Sequence, residues 1–135
     1  MRLIILFYFL LVSGGSFAQE PKEILRSIYF GGGSWYIDAE QKQSLEELIQ
    51  SIPNLEYYEI KITSHTDNIG GREFNEYLSR MRSSSVIQQL IDFKVPQEII
   101  RYKDFASDAP VFDNTTNEGR MRNRRVDILF TPIPF

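Results

Sequence analysis

The sequence predicts a two-layer α/β domain, a sheet of about four strands with two main helices on one face. Three observations carry that reading. Tyr58, Ile60, Ile62 and Ser64 alternate with Glu59, Lys61 and Thr63, the period of a strand covered on one side. Leu45, Leu48, Ile49 and Ile52 recur on one helical face, with Glu46, Glu47 and Gln50 turned outward. The chain has 135 residues, enough for one modest core and too few for two. Strand-helix-strand units favour parallel, right-handed crossovers, and the pattern leaves the place and direction of the last strand open.

In chain order, Gln19 to Lys22 reads as a short leader and Ser27 to Phe30 as the first strand, followed by the flexible turn Gly31-Gly32-Gly33. Ile37 joins a brief strand or acts as a staple before Asp38, a helix N-cap with Gln41 at capping-box spacing. Pro53-Asn54 ends the first helix. The second strand runs into the loop His65-Thr66-Asp67-Asn68-Ile69-Gly70-Gly71. A second helix spans about Glu73 to Phe93, with Leu78, Met81, Ser85, Ile87, Leu90 and Ile91 on its apolar side. Val95-Pro96 breaks it, and Pro96 can open a short turn through Ile100. Arg101 to Ala106 is the third strand and Ser107 to Met121 a polar loop. Arg124 to Thr131 is the last strand, with Val126, Ile128 and Phe130 alternating against Arg125, Asp127 and Leu129, and Pro132 and Pro134 stop it.

Residues 1–18 read as a cleaved secretory signal. Arg2 supplies the positive start, Leu3 to Val12 are continuously apolar, and Ser16-Phe17-Ala18 resembles a small-x-small cleavage site. Gly14-Gly15 interrupts the apolar run well short of the ~20 residues a spanning helix needs. The mature chain therefore starts at Gln19, with no stable transmembrane segment after cleavage. Residues 19–27 form the leader and start of the domain, 28–131 the domain, and 132–135 a tail.

Composition narrows the function classes. The net charge of −3 argues against a general nucleic-acid binder, which needs a basic field. The absence of cysteine excludes a disulfide scaffold, thiolate catalysis, a thiolate zinc site and lipid attachment through cysteine. Seven Tyr and ten Phe supply apolar area to offset the entropy of folding.

Three stretches are polar where a core would not ask for it. Ser64-His65-Thr66-Asp67 ends a strand, where ligands of α/β sheets collect. Asp67 either accepts from a ligand ammonium or shapes its own turn through backbone N–H groups. Asn75, Ser79 and Arg82 lie near one stripe of the second helix. Arg82 either holds a carboxylate in two parallel hydrogen bonds or sits at the surface beside Glu76 or Asp92. Asn114-x-x-Asn117-Glu118-Gly119-Arg120-x-x-Asn123-Arg124-Arg125 precedes the last strand, and one of its arginines can clamp the loop or neutralise Asp67. A carboxylate and a guanidinium a few ångströms apart make a receptor for a zwitterion and need no nucleophile.

Taken together, His65-Thr66-Asp67 with Gly70, Asn75-x-x-Leu78-Ser79-x-x-Arg82, and Gly119-Arg120-x-x-Asn123-Arg124-Arg125-Val126 resemble the OmpA-like domain family over roughly Ile28 to Phe130. The resemblance implies a β-α-β-α-β-β core whose mixed four-stranded sheet has its last strand antiparallel. It also implies periplasmic, noncovalent binding of the peptidoglycan stem peptide, linking the wall to the outer membrane or an envelope complex. By resemblance, Asp67 and Arg82 hold the amino-acid end of a diaminopimelate side chain. Thr66, Asn75 and Leu78 lie beside them, Arg125 is a supporting ligand arginine, and His65, Ser79, Asn123 and Arg124 brace the site. The chain departs from the family pattern at Ser64 and Asp104, where glycine is usual, and in the flexibility of Gly31-Gly32-Gly33.

Other readings are weaker. His65, the only histidine, lies two residues from Asp67, and Ser64 or Ser79 could be drawn as a nucleophile, but this spacing does not build a triad. His65, Asp67 and Asp104 follow no metal-ligand spacing, and nothing asks for a cofactor. The rival function is an envelope protein-protein module that keeps the fold without wall binding, using Tyr57, Tyr58 or the Trp35-Tyr36 pair.

Overall fold

The computed structural model describes residues 20–104 and 112–134. The expected signal segment, the last two residues of the expected third strand, the start of the expected polar loop and Phe135 lie outside the described residues.

Seven main elements follow in order: β1 (Ile24–Tyr29), α1 (Ala39–Ser51), β2 (Tyr58–His65), α2 (Arg72–Asp92), β3 (Ile100–Asp104), α3 (Asn117–Asn123) and β4 (Arg125–Pro132). The strands form one mixed sheet in the order β1-β4-β2-β3. β4 enters between β1 and β2, antiparallel to both, while β2 and β3 are parallel. The expected two-layer fold with an antiparallel last strand is the one the chain forms.

Side-chain alternation decides which face is covered. Ile28 of β1, Ile60 and Ile62 of β2, and Val126, Ile128 and Phe130 of β4 are buried together with Leu45, Ile49 and Ile52 from α1 and Val86 and Leu90 from α2. β1 starts three residues earlier than the alternation suggests. Arg26 interrupts the apolar positions because its guanidinium donates to Ser44 Oγ on α1, covering the helix rather than entering the core. Asp38 caps α1 as expected, accepting from Gln41 N at 2.9 Å. The Gln41 side chain also bridges to the end of β1, accepting from Tyr29 N and donating to Tyr29 O.

Two other expectations are corrected. The polar loop contains α3, capped by Thr116, whose Oγ1 accepts from Gly119 N. A seven-residue helix held by its cap has too little apolar periodicity to register as one. Pro132 belongs to β4 rather than stopping it. The β1 ladder ends at Ile24 opposite Phe130, so at Pro132 only the β2 side is paired, opposite Tyr58, and a missing N–H is tolerated.

α2 differs most from its pattern. Its buried stripe is Asn75, Leu78, Ser79, Arg82, Ser83, Val86 and Leu90. Met81, Ser85, Ile87 and Ile91 are only half-buried. The C-terminal half of the helix packs on the core, whereas the N-terminal half turns polar side chains inward over the ends of the strands.

Ile62 sits at the centre of the sheet with no exposed surface. We expect Ile62→Ala to lose about 2–5 kcal/mol in a denaturant titration; a cost near zero would contradict its core position.

Candidate functional site

The polar residues singled out in the sequence converge at the carboxyl end of β2. Ser64, His65, Thr66, Asp67, Asn75, Ser79, Arg82, Asn123 and Arg125 are all buried. Burial of this much polarity is costly unless each group finds a partner, so the partners define what the site can do.

Arg82 is the extreme case, fully buried. Its Nε donates to Ser34 O at 2.8 Å and its Nη2 to Gly31 O at 2.9 Å, and the guanidinium lies 5.3 Å from the Phe30 ring centre. The turn that presents both carbonyls passes through Gly33 at φ +65°, a left-handed conformation that glycine adopts without strain. Arg82 Nη1 has no hydrogen-bond partner. Burial, opposed by the Asp67 carboxylate and reinforced by the nearby Arg124 charge, lowers the Arg82 pKa to about 10. Arg82 is therefore charged at neutral pH, and it lies within electrostatic reach of Asp67. The surface-arginine reading does not hold.

Asp67 shapes its turn and pairs with an arginine at once. Its Oδ1 accepts from Ile69 N at 3.0 Å, and its Oδ2 accepts from Arg124 Nη1 at 3.0 Å. Arg124 Nε donates to Phe30 O, so one guanidinium ties the end of β1 to the β2–α2 loop. Asn75 Nδ2 points at Asp67 O at 3.5 Å, while Asn75 Oδ1 and Thr66 Oγ1 are buried without partners. Leu78 is buried one turn along α2 from Asn75.

Arg125 is not brought to this cluster. Along β4 it alternates with Val126, and it faces away from α1 and α2 together with Asp127. Its Nε donates to Asp127 Oδ1 and its Nη1 to Arg122 O, and its guanidinium lies over the Phe112 ring. Asp127 is a hub that the alternation pattern hid, since an outward strand residue reads as solvated. Ser27 Oγ donates to its Oδ1 at 2.7 Å, and His65 Nε2 lies 3.3 Å from its Oδ2. Burial raises the Asp127 pKa, but hydrogen bonds from His65, Ser27 and Arg125, with the Arg125 charge, outweigh it and hold the carboxyl below its usual range. Asn123 braces the neighbouring loop, accepting from Phe112 N and donating to Phe112 O and Asn114 Oδ1.

Among the described residues no group of three or more acidic or histidine side chains could hold a metal ion. His65 is engaged at Asp127, on the other side of the sheet from Asp67 and Arg82.

The profile of the OmpA family matches residues 29–124. The chain belongs to the OmpA family. It is 31% identical to outer membrane protein Omp38 of Acinetobacter baumannii over 116 residues, 81% of this chain and 33% of Omp38. It is 28% identical to the outer-membrane lipoprotein YfiB of Pseudomonas aeruginosa, over 76% of this chain and 61% of YfiB. The chain thus spans about a third of Omp38 and under two thirds of YfiB. The crystal structure of the peptidoglycan-associated lipoprotein from Burkholderia pseudomallei superposes with a TM-score of 0.73 at 24% identity, over 78% of this chain and 90% of that one. At that identity the likeness is one of fold. The distinctive chemistry of this end of the domain is the Asp67–Arg124 ion pair beside the buried Arg82 guanidinium.

Two outcomes test the bracing. A methyl group at Gly119 would overlap the Asp113 carbonyl and crowd Thr116 Oγ1, whereas Gly32 has open space around it. Gly119→Ala should cost about 1–3 kcal/mol in thermal melts, with Gly32→Ala nearly neutral. The lowered Asp127 pKa contributes stability that is present above the unfolded value near 3.8 and lost as pH falls through the folded value. Asp127→Asn should therefore cost about 2 kcal/mol at pH 7 and flatten the loss of Tm below pH 4. The remaining acid slope belongs in part to Asp38 and Asp113, held low by hydrogen bonds from Gln41 and Thr115.

Proposed function

We propose that this domain binds the peptidoglycan stem peptide without altering it, in the periplasm, and links the wall to the outer membrane or to an envelope complex. The relatives support the setting: two are named as outer-membrane proteins and a third as peptidoglycan-associated.

The observation that carries the reading is a set of unpartnered polar atoms around one carboxylate. Thr66 Oγ1, Asn75 Oδ1 and Arg82 Nη1 are buried without partners, all close to Asp67. Leaving such a group unsatisfied costs about 1–3 kcal/mol, a penalty that a ligand able to complete the hydrogen bonds removes. The unpartnered Arg82 Nη1, with its two N–H groups, suits a ligand carboxylate. The nearby acceptors, the Asp67 carboxylate and the oxygens of Thr66 and Asn75, suit an ammonium. A zwitterionic amino-acid terminus, such as the side chain of diaminopimelate, presents both charges. Leu78 supplies apolar contact beside them. In this reading Arg124, rather than Arg125, is the second arginine of the site, holding Asp67 in place from within.

Thr66→Val provides a discriminating test. Replacing an unsatisfied buried hydroxyl with an isosteric methyl should leave the melting temperature unchanged or raise it. Pelleting with purified sacculi should nevertheless weaken by about tenfold. Asp67→Asn should also lose pelleting, and free diaminopimelate should compete with sacculi for the wild type. Wild-type affinity in Thr66→Val and Asp67→Asn would remove these residues from the interface. Failure of the folded wild type to pellet with sacculi of its own organism would favour the protein-protein module.

A further inference from the structure

A second concavity lies beside the Asp67–Arg82 cluster. A cavity of about 700 Å³ opens between the segment Gly33 to Ile37 and the outer flank of α2. One wall carries Trp35 and Tyr36, and the helix contributes Met81, the small side chains of Ser84 and Ser85, and the amides of Gln88 and Gln89. At its rim, Trp35 meets Tyr77 edge-to-face, with ring centres 6.1 Å apart and planes at 88°. Trp35 and Tyr77 keep 40% and 44% of their surface exposed.

Neither core packing nor a solvated surface accounts for this combination. Large aromatics are exposed beside a hollow floored by serines, and the far end offers the amides of Gln88 and Gln89 beside a single carboxylate, Asp92. The lining has one cation and one anion, Lys42 and Asp92. Lys42 Nζ lies over the Tyr36 ring, and Asp92 accepts from Gln88. The groove is therefore electrically balanced, unsuited to a nucleic-acid backbone that needs a basic track. Its volume falls within the range of small-ligand clefts. Aromatic rings beside neutral donors and acceptors match a sugar ring, whose C–H face packs on an aromatic while its hydroxyl and acetamide groups meet serine hydroxyls and glutamine amides.

Position argues for the same occupant. Ser34 lines the groove, and its carbonyl is the acceptor for Arg82 Nε. The groove and the proposed stem-peptide site thus share one residue. We propose that the groove between Gly33–Ile37 and α2 binds an N-acetylated amino sugar of the wall glycan, so that the domain reads saccharide and stem peptide side by side. This inference rests on the wall-binding reading and extends it from the peptide to the glycan strand.

Trp35 is the only tryptophan in the chain, so its emission reports on this groove alone. The purified protein is titrated with wall glycan oligosaccharides from which the stem peptides have been removed, and is separately pelleted with intact sacculi. A saturable change in Trp35 emission is expected with the peptide-free glycan. Tyr77→Ala and Ser84→Phe, which removes the floor space at an exposed helix position, should each weaken that response by about tenfold, the scale of one lost aromatic contact. Pelleting with sacculi without any emission response to the glycan overturns the groove and leaves stem-peptide binding standing. A glycan response undiminished in Ser84→Phe also overturns it. Neither pelleting nor response removes both readings.

Discussion

The burial of Arg82 is the constraint around which this end of the domain is organised. A guanidinium with no exposed surface must find its acceptors inside the protein, and it keeps its charge at neutral pH because its pKa falls only to about 10. Two acceptors are the carbonyls of Gly31 and Ser34. The turn after β1 cannot drift from α2 without stranding that charge, a loss of several kcal/mol by the usual cost of breaking a buried charged contact. Gly33 allows the required turn, and the turn in turn sets Trp35 and Tyr36 over the flank of α2. The same charge needs a counter-charge nearby. Asp67 supplies it, while Arg124 pins Asp67 and the end of β1 together.

The fold was legible because its core obeys simple periods. β2 and β4 alternate strictly, and α1 shows a single apolar face, so both layers could be read from Ile60, Ile62, Val126, Ile128, Leu45 and Ile49. The departures share a physical cause, since each occurs where a polar contact replaces an apolar one. Arg26 interrupts β1 because it covers Ser44, and α3 depends on Thr116 and the space at Gly119 rather than on an apolar stripe. In α2 the inward face begins with Asn75, Ser79 and Arg82, so a search for the apolar side rotates toward Met81 and Ile87 and overlooks Val86. The candidate residues themselves were legible as polarity out of place. Their partners were not: Arg82 bonds to backbone carbonyls, and no side-chain pattern marks a carbonyl.

The two sides of the sheet end carry different chemistry. On the side away from the helices, Asp127 takes bonds from Ser27 and Arg125 beside His65, linking β1, β2 and β4. Arg125 is also anchored to Arg122 O and lies over Phe112, and Asn123 clamps the Phe112 backbone. That network is internally bonded and resembles a structural brace. On the helix side, Thr66, Asn75 and Arg82 each retain a buried atom without a partner. Partnerless buried atoms gathered at Thr66, Asn75 and Arg82 are a local inconsistency of the kind expected at a functional site.

The consecutive arginines follow from this division. Neighbouring residues at the start of a strand project to opposite sides, so Arg124 and Arg125 cannot serve one ligand even though they are adjacent in sequence. Arg124 turns to Asp67 and Phe30 O, whereas Arg125 turns to Asp127 and Arg122 O. Exchanging their roles would require a one-residue shift of β4, which would also move Val126, Ile128 and Phe130 out of the core. The hydrophobic register of β4 therefore decides which arginine holds the carboxylate of the proposed site, and the packing of three apolar side chains sets the electrostatics several residues away.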